Sequence, residues 1–307
     1  MQNRFYDLNT YFRRQFGCRV HKLTVDAGMT CPNRDGTVGR GGCIYCNASG
    51  SGTAAHNRGL TITQQLEAAK TAVIRRFKAK KFLAYFQSFS NTYAPVRQLQ
   101  ELYDEALAVS DVVGLSIGTR PDCVDEDKLA LLERYAQTHL IWIEYGLQSS
   151  HDRTLAAINR GHDVGAFERA IAATADRGIR ICVHAILGLP GEDADQIRAT
   201  ADYIARLPID GLKLHLLYVV RGTAMEDLYR SGRYQCLERE EYAERVCDFI
   251  ERIPGRVVIQ RLTGDPHWRE LVAPLWALEK ANNLDLIKQK LTLRDTWQGK
   301  FCISVAD

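Results

Sequence analysis

The sequence predicts an α/β protein made of six consecutive βα units, followed by an α-rich C-terminal extension. Apolar runs rich in β-branched and aromatic residues alternate with segments of helical periodicity. Several of these runs, such as LIWIEYGL, are apolar along almost their whole length, which is typical of a parallel sheet covered on both faces. Six units are fewer than the eight of a closed barrel, which leaves an open barrel or a doubly wound sheet.

The predicted strands are short apolar runs between turn residues. In chain order they are Val20–Ala27, Phe82–Phe89, Val112–Ile117, Leu140–Leu147, Ile179–Leu187 and Gly211–Tyr218. The predicted helices lie between them, over Thr63–Lys78, Val96–Val109, Asp125–Ala136, a broken segment Arg153–Arg177, and Asp193–Arg206. In both candidate architectures the functional residues lie at the carboxyl ends of the strands.

The order of elements changes after Tyr218. A helix is predicted over Glu238–Arg252, followed by a short strand in VVIQRL and by apolar residues at helical spacing over Trp268–Leu293. The sequence contains no linker, repeat or low-complexity segment that would mark a second independent domain. We therefore expect a barrel domain over residues 1–230, including the N-terminal segment, with an extension over residues 231–307 packed on it.

Composition and charge restrict the class of protein. The 307 residues, 46% of them hydrophobic, are enough for a large core, and a net charge of +3 is too small for the whole surface to attract nucleic acid. The N-terminal segment is charged throughout, and no run of about 18 uncharged apolar residues occurs. We expect a cytoplasmic protein without membrane contact. Nine cysteines in that reducing compartment indicate metal binding rather than disulfides.

Three of the cysteines lie close together in CPNRDGTVGRGGCIYC. Cys31, Cys43 and Cys46 have C-x11-C-x2-C spacing on a glycine-rich loop after the first strand. They could hold a [4Fe–4S] cluster with one open iron, or a zinc ion if Cys18 or His21 supplied a fourth ligand. Spacing alone leaves both possibilities open. The position at a strand end, where barrel enzymes have their active sites, favours the cluster.

This loop resembles the cluster motif of the radical S-adenosylmethionine (SAM) superfamily, whose usual spacing is C-x3-C-x2-C with an aromatic residue, here Tyr45, before the last cysteine. The longer first spacing is similar to that of the branch related to the catalytic subunit of elongator. Within that branch, CPNRDG and GGCIYC resemble the YhcC/YtqA subfamily, as do RLTGD and LVAPLWALEK near the C-terminus. The resemblance covers nearly the whole chain. It implies a partial (βα)6 TIM-type barrel that uses a [4Fe–4S] cluster and SAM, with Cys31, Cys43 and Cys46 as ligands and catalytic groups.

The resemblance also implies which strand ends contact SAM. After the second strand, YFQSFSNTYAP takes the place of a Gly-Gly-Glu that binds the SAM amino group, but the glycines and the glutamate are absent. Hydroxyl and amide oxygens are expected to replace them, from Gln87, Ser88, Ser90 and Asn91. The alternative is an ordinary Ser/Asn-rich turn before a helix.

Further SAM contacts are expected from the fourth and fifth strands. In WIEYGLQSS, polar Glu144 and Gln148 interrupt an apolar run, and the resemblance assigns them to the ribose and methionine parts of SAM. In HAILGLPGE, Gly188 and Leu189 are expected to meet the adenine. His162 in AINRGH is expected to be exposed, and His184 to be a satisfied core histidine. Other side chains near the mouth have no assigned role: Arg120, Asp122, Lys213 and His215.

The resemblance implies that one electron cleaves SAM to methionine and a 5′-deoxyadenosyl radical, which abstracts hydrogen from a substrate. A flavodoxin-type or ferredoxin-type protein is the expected electron donor. Elongator-like relatives modify wobble uridine in tRNA, which makes tRNA the expected partner. Basic stretches at Arg75–Lys81, Arg13–Arg14 and near Lys288 are candidate phosphate contacts, although such runs are usually only solvated faces. The alternatives are a radical SAM enzyme acting on a small metabolite or peptide, and a non-catalytic zinc RNA-binding protein.

Overall fold

The computed structural model describes residues 3–47, 50 and 59–302. Its central feature is a seven-stranded sheet in which every neighbouring pair is parallel. Six strands follow one another in chain order and confirm the predicted strands, with ends that differ by at most three residues. They are β1 (Val20–Val25), β2 (Lys81–Phe86), β3 (Val112–Thr119), β4 (Leu140–Gln148), β5 (Arg180–Leu187) and β6 (Gly211–Leu216).

The helices in this part of the chain precede β1 or lie between successive strands, and they confirm the predicted alternation. They are α1 (Leu8–Phe16), α2 (Pro32–Asp35), α3 (Ile62–Phe77), α4 (Val96–Leu107), α5 (Glu126–Ala136), α6 (Asp152–Ala157), α7 (Val164–Thr174) and α8 (Ala194–Ala205). The predicted broken helix is the pair α6 and α7. Capping boxes begin α3, through Thr61 and Gln64, and α8, through Asp193 and Gln196, because each pair satisfies two otherwise free backbone N–H groups.

The seventh strand of the sheet comes from the C-terminal part of the chain. β8 (Val258–Arg261) pairs in parallel with β6, with Lys213 opposite Arg261. The predicted partial (βα)6 TIM-type barrel is confirmed, and the predicted VVIQRL strand joins its sheet as a seventh strand. Lys22 on β1 donates to Gln260 Oε1 at 2.7 Å, which links the first and last strands of the sheet. The fold is a partial TIM-type barrel of seven strands.

Two of the three apolar clusters among the described residues pack the sheet and the amino end of the barrel. The larger one lies between the sheet and the helices, where side chains such as Phe86 and Phe167 are fully buried. A smaller one fills the amino end of the barrel, where Trp142 is grouped with Leu83 and with Phe12 of α1. Trp142 is completely buried, so the amino end of the barrel is packed with side chains.

The C-terminal part contains α9 (Ala224–Arg230), α10 (Arg239–Ile250) and α11 (Lys280–Leu293). The helix predicted over Glu238–Arg252 is confirmed as α10, but the segment Trp268–Leu293 is helical only in its second half. Its first half contains β9 (Leu271–Ala273), which pairs antiparallel with β7 (Val219–Val220), and a 3₁₀ turn at Leu275–Leu278. Pro274 lies between them and has no N–H to continue a helix. The division after residue 230 stays a prediction. No helix in the described part of the chain is long and apolar enough to cross a membrane.

Candidate active site

The cysteine loop lies at the carboxyl end of β1. Cys31 precedes the single turn α2, and Gly42, at a φ of 78°, lets the chain turn back so that its N–H donates to the Asn33 carbonyl at 2.8 Å. The loop is attached to the segment after α6 by a hydrogen bond from Ile44 N–H to the Ile158 carbonyl, at 3.1 Å. As a result one cavity of about 880 Å³ in the barrel mouth is lined by all three cysteines of the motif, Cys31, Cys43 and Cys46.

Nitrogen donors point at two of the cysteine sulfurs. Arg160 Nη1 lies 3.6 Å from Cys43 Sγ, and Arg34 Nη1 lies 3.4 Å from Cys46 Sγ. Burial, with the neighbouring Cys43, raises the pKa of the free Cys46 thiol to about 11, so metal binding at this sulfur must displace a proton. Cationic donors near the sulfurs favour the thiolate form that an iron–sulfur cluster needs. The donor set therefore fits a cluster.

Arg34 and Arg160 were not predicted from the sequence, although they belong to CPNRDG and AINRGH. Arginines in loops are usually exposed, whereas Arg160 is only 7% exposed. Its Nη2 donates to the Gly146 carbonyl at 2.6 Å, and a Cβ at position 146 would lie 2.6 Å from the same nitrogen. The glycine within the apolar run WIEYGLQ was the available signal, because a glycine inside a strand often marks the close approach of another group.

The positions of Cys18 and His21 argue against the zinc alternative. Cys18 precedes β1 and Cys31 follows it, and six residues of strand span about 20 Å, whereas a Zn–S bond is about 2.3 Å. The His21 ring is stacked on Phe77, with centroids 4.8 Å apart. Neither Cys18 nor His21 is therefore positioned to act as the fourth ligand of a zinc ion.

Buried polar atoms lie at the end of β2, where SAM contacts are predicted. Ser88 Oγ and Asn91 Oδ1 are buried and have no hydrogen-bond partner in the described chain. Asn91 Nδ2 donates to the Gly118 carbonyl at 2.9 Å, which fixes the amide, and neither Ser88 nor Asn91 lines the cavity. Gln87 and Ser90 line the cavity. Such acceptors suit a ligand with N–H donors, such as the SAM ammonium group, and the four contacts stay a prediction.

Gln148 ends β4 with a φ of 78°, a conformation that residues other than glycine rarely adopt. Its side chain lines the cavity, and its buried Oε1 lacks a partner within the described residues.

Gly188 and Leu189 are buried against other residues of the chain. The Gly188 carbonyl accepts a hydrogen bond from Tyr234 at 2.8 Å, and Leu189 belongs to an apolar cluster that also contacts Tyr45. The SAM contacts of these residues stay predictions.

Glu144 lies at the centre of a buried ion network inside the barrel. Its carboxylate accepts from Lys22 Nζ at 2.6 Å and contacts His184 Nε2 at 2.9 Å, and it is also bonded to Ser116 and Lys213. Burial alone would raise the pKa of this carboxyl, but Lys213 and Lys22 hold it well below its usual range. A SAM contact by Glu144 stays a prediction, and it requires one of these four protein partners to move.

Two histidines share the cavity with this network. His184 contacts Glu144, but it lines the cavity, so the expectation of a core histidine is wrong. Burial lowers its pKa to about 4. His215 lies beside it, with ring centroids 5.0 Å apart, and burial together with His184 lowers the pKa of His215 well below its usual range. Both rings are therefore neutral at pH 7.

His162 is half-buried, so the expectation of an exposed side chain is wrong. Its Nε2 lies 3.2 Å from the Gly146 carbonyl oxygen, and burial together with Arg160 lowers its pKa to about 3. Arg120 and Asp122 form a two-point ion pair, at 2.8 and 2.6 Å, and Arg120 Nη1 also donates to the Arg160 carbonyl at 2.6 Å. This pair supports the segment that carries Arg160 and His162.

The basic stretches lie away from the cysteine loop. Arg75, Arg76 and Lys78 are at the end of α3, immediately before β2 begins, and Arg13–Arg14 are at the end of α1, immediately before β1 begins. Both stretches are thus at the amino end of the sheet. If they contact phosphates, they do so at the end of the sheet opposite the cysteine loop, and this contact stays a prediction.

Two family models match the chain. The radical SAM superfamily model matches residues 34–204, which is more than half of the chain, and the radical SAM C-terminal domain model matches residues 209–292. The chain belongs to the radical SAM superfamily. It is accordingly a radical SAM enzyme, and the cofactors of this class are a [4Fe–4S] cluster and SAM.

Relatives support the elongator-like branch of the superfamily. The chain is 41% identical to the uncharacterised protein YtqA of Bacillus subtilis over 300 residues, which cover 98% of this chain and 93% of YtqA. It is 30% identical to human Elongator complex protein 3 over 162 residues, which cover 52% of this chain and 29% of that protein. A solved structure of Elp3 from Methanocaldococcus infernus is similar in fold, with a TM-score of 0.69 and 16% identity over 91% of this chain and 64% of the other.

Proposed function

We propose that this radical SAM enzyme modifies the side chain of a wobble uridine in tRNA, in the cytoplasm, with its cluster held by Cys31, Cys43 and Cys46. When bound, a [4Fe–4S] cluster with SAM supplies the one-electron cleavage of SAM that yields a 5′-deoxyadenosyl radical. The observation that carries the assignment of ligands is the convergence of the three cysteines, with Arg34 and Arg160, on one cavity. A flavodoxin-type or ferredoxin-type protein is the proposed electron donor.

The residues of the chain hold and orient the reactants. Arg34 and Arg160 neutralise charge beside the cysteine sulfurs, and we assign the acceptors Ser90 and Gln148, which line the cavity, to the amino and hydroxyl groups of SAM. The packed amino end of the barrel, around Trp142, confines the reactants to the carboxyl ends of the strands. A reactive radical requires such confinement, because water and side reactions must be kept out.

The support for an RNA substrate is the likeness to Elongator complex protein 3 and the character of the cavity rim. Pro266, His267 and Glu270 line the cavity, and Trp268 lies within the same segment with 66% of its surface exposed. The Arg269 guanidinium lies 5.0 Å from the Trp268 ring centroid. Exposed aromatic rings with an adjacent arginine stack bases of single-stranded RNA, and the loop of a tRNA offers such bases.

The experiment compares modified nucleosides of tRNA, by mass spectrometry, in cells that lack the gene and in cells complemented with wild type or Cys31→Ala. We expect a wobble uridine product to disappear in the deletion strain and to return only with wild type. In parallel, tRNA binding is measured with Trp268→Ala and with Arg75, Arg76 and Lys78 replaced together by alanine. Trp268→Ala should weaken tRNA binding by about 1–3 kcal/mol. The triple variant should leave the contact between tRNA and the Trp268 segment unchanged.

Unchanged tRNA nucleosides in the deletion strain, together with no tRNA binding by the purified enzyme at low salt, would contradict the RNA substrate. A small metabolite or a peptide would then be the better substrate class. The radical SAM assignment would be unaffected, since it does not depend on the substrate.

A further inference from the structure

The inner wall of the barrel carries more positive than negative side chains. The strands contribute three formal positive charges to the cavity, from Lys22, Lys213 and Arg261. Among the described strand residues that line the cavity, Glu144 is the one acidic side chain. His184 and His215 add no charge, because burial keeps them neutral at pH 7. The wall therefore has an excess of two formal positive charges.

The lysines are bonded to protein groups, whereas the arginine is not. Lys22 is bonded to Glu144, Ser116 and Gln260, and Lys213 is bonded to Glu144 and, at 3.0 Å, to Tyr85 Oη. The Arg261 side chain makes no hydrogen bond or ion pair with any residue that the structure describes. An arginine has five N–H donors in a planar arrangement, and the half-buried Arg261 presents them to the cavity.

Strand register places Arg261 next to the network. Arg261 on β8 is directly opposite Lys213 on β6, and Lys213 is in turn opposite His184 on β5. Their side chains lie on the cavity side of the sheet. Lys213 and Arg261 are thus neighbouring cations, and the planar guanidinium group of Arg261 has no partner among the described residues. Such a pair matches the geometry of a carboxylate or phosphate.

We propose that Arg261 and Lys213 form an oxyanion site within the barrel that binds a carboxylate or phosphate group of the substrate. This inference rests on the proposed radical reaction in the same cavity, but it does not require the substrate to be a tRNA. The other possible source of an oxyanion is the carboxylate of SAM itself. We assign the site to the substrate because Arg261 ends β8. The predicted SAM contacts, with their unpartnered polar atoms, lie instead at the ends of β2 and β4.

The test uses the cluster-loaded full chain with inorganic phosphate and with acetate as probes. Binding is followed as the concentration-dependent increase in melting temperature, and SAM affinity is measured separately by equilibrium binding. The variants are Arg261→Gln and Arg261→Lys, and Arg206→Gln is the matched control because it removes an exposed arginine at the end of α8, outside the cavity. Iron content and melting temperature without probe show whether each variant folds.

We expect saturable binding of at least one probe to wild type, a weakening of about tenfold or more in Arg261→Gln, and no change in Arg206→Gln. Arg261→Lys should retain part of the affinity, because it keeps the charge and loses the planar fork. SAM affinity should stay within about twofold in all variants. Probe binding that does not respond to Arg261→Gln would overturn the proposal, and so would a tenfold loss of SAM affinity, which would identify the site as that of the SAM carboxylate. If tRNA nucleosides are unchanged in the deletion strain while probe binding depends on Arg261, the tRNA proposal fails and the oxyanion site stands.

Discussion

Arg160 donates a hydrogen bond to the sulfur of Cys43 across 3.6 Å, although 117 positions separate the two residues in the sequence. The same guanidinium is anchored by the Gly146 carbonyl, and Arg120 holds the backbone of Arg160 in place. A buried cation is thus fixed beside one of the proposed cluster ligands. Positive charge and hydrogen bonds at the sulfurs make a cluster easier to reduce, and SAM cleavage begins with a reduced cluster.

The first prediction concerns this contact. Arg160→Gln should shift the reduction potential of the reconstituted cluster to a more negative value. A shift of about 60 mV corresponds to a tenfold lower ratio of reduced to oxidised cluster at the same applied potential. The shift is measured by redox titration with detection of the reduced cluster by electron paramagnetic resonance. Arg206→Gln, at an exposed position on the outer helices, is the control and should leave the potential unchanged. An equal potential in wild type and Arg160→Gln would show that this arginine has a structural role only.

The second prediction concerns the acceptors at the end of β2. Asn91→Ala should weaken SAM binding by about 1–3 kcal/mol and leave the iron content unchanged, because the change removes a hydrogen-bond acceptor and no iron ligand. Equilibrium binding of SAM to the cluster-loaded protein gives the affinity. Asn282→Ala, at an exposed position on α11, is the matched control. Wild-type affinity in Asn91→Ala would place the amino group of SAM elsewhere.

Acid sensitivity is the third prediction. Burial, with Arg160, lowers the pKa of His162 to about 3, while an unfolded histidine titrates at about 6.5. Between these two values the unfolded chain binds the additional proton, so the free energy of unfolding must fall as the pH falls from about 6.5 towards 3. The slope from one such histidine is at most about 1.4 kcal/mol per pH unit.

His162→Asn should therefore reduce the loss of stability between pH 7 and pH 5. Denaturant unfolding at several pH values measures this slope. His139→Asn is the control, since His139 is on the outside of the barrel before β4. A pH slope that His162→Asn leaves unaltered would mean that His162 is protonated in the folded protein at these pH values.

The sequence predicted most of the sheet because its strands are local apolar runs, whereas the place of a strand within the sheet depends on distant residues. The run VVIQRL was identified as a strand, but nothing in its residues indicates that it pairs with β6. The positions of the basic stretches could have been deduced, since a helix that leads into a parallel strand must end at the amino end of that strand. Arg34 and Arg160 do not differ in their own segments from exposed loop arginines. Arg34 contacts Cys46 and the Phe89 ring, and Arg160 contacts Cys43 and the Gly146 carbonyl. The glycine in WIEYGLQ signals a close approach but does not identify the group that approaches.

The cysteine ligand set is the central claim, and it is tested most directly by the yield of 5′-deoxyadenosine from SAM with anaerobically reconstituted, chemically reduced protein. Wild type and Cys18→Ala should each bind about four irons and four sulfides and should form 5′-deoxyadenosine and methionine. Cys31→Ala, Cys43→Ala and Cys46→Ala should each lose the cluster and this activity. Stoichiometric zinc without sulfide in wild type, or cluster loss only in Cys18→Ala, would contradict the account.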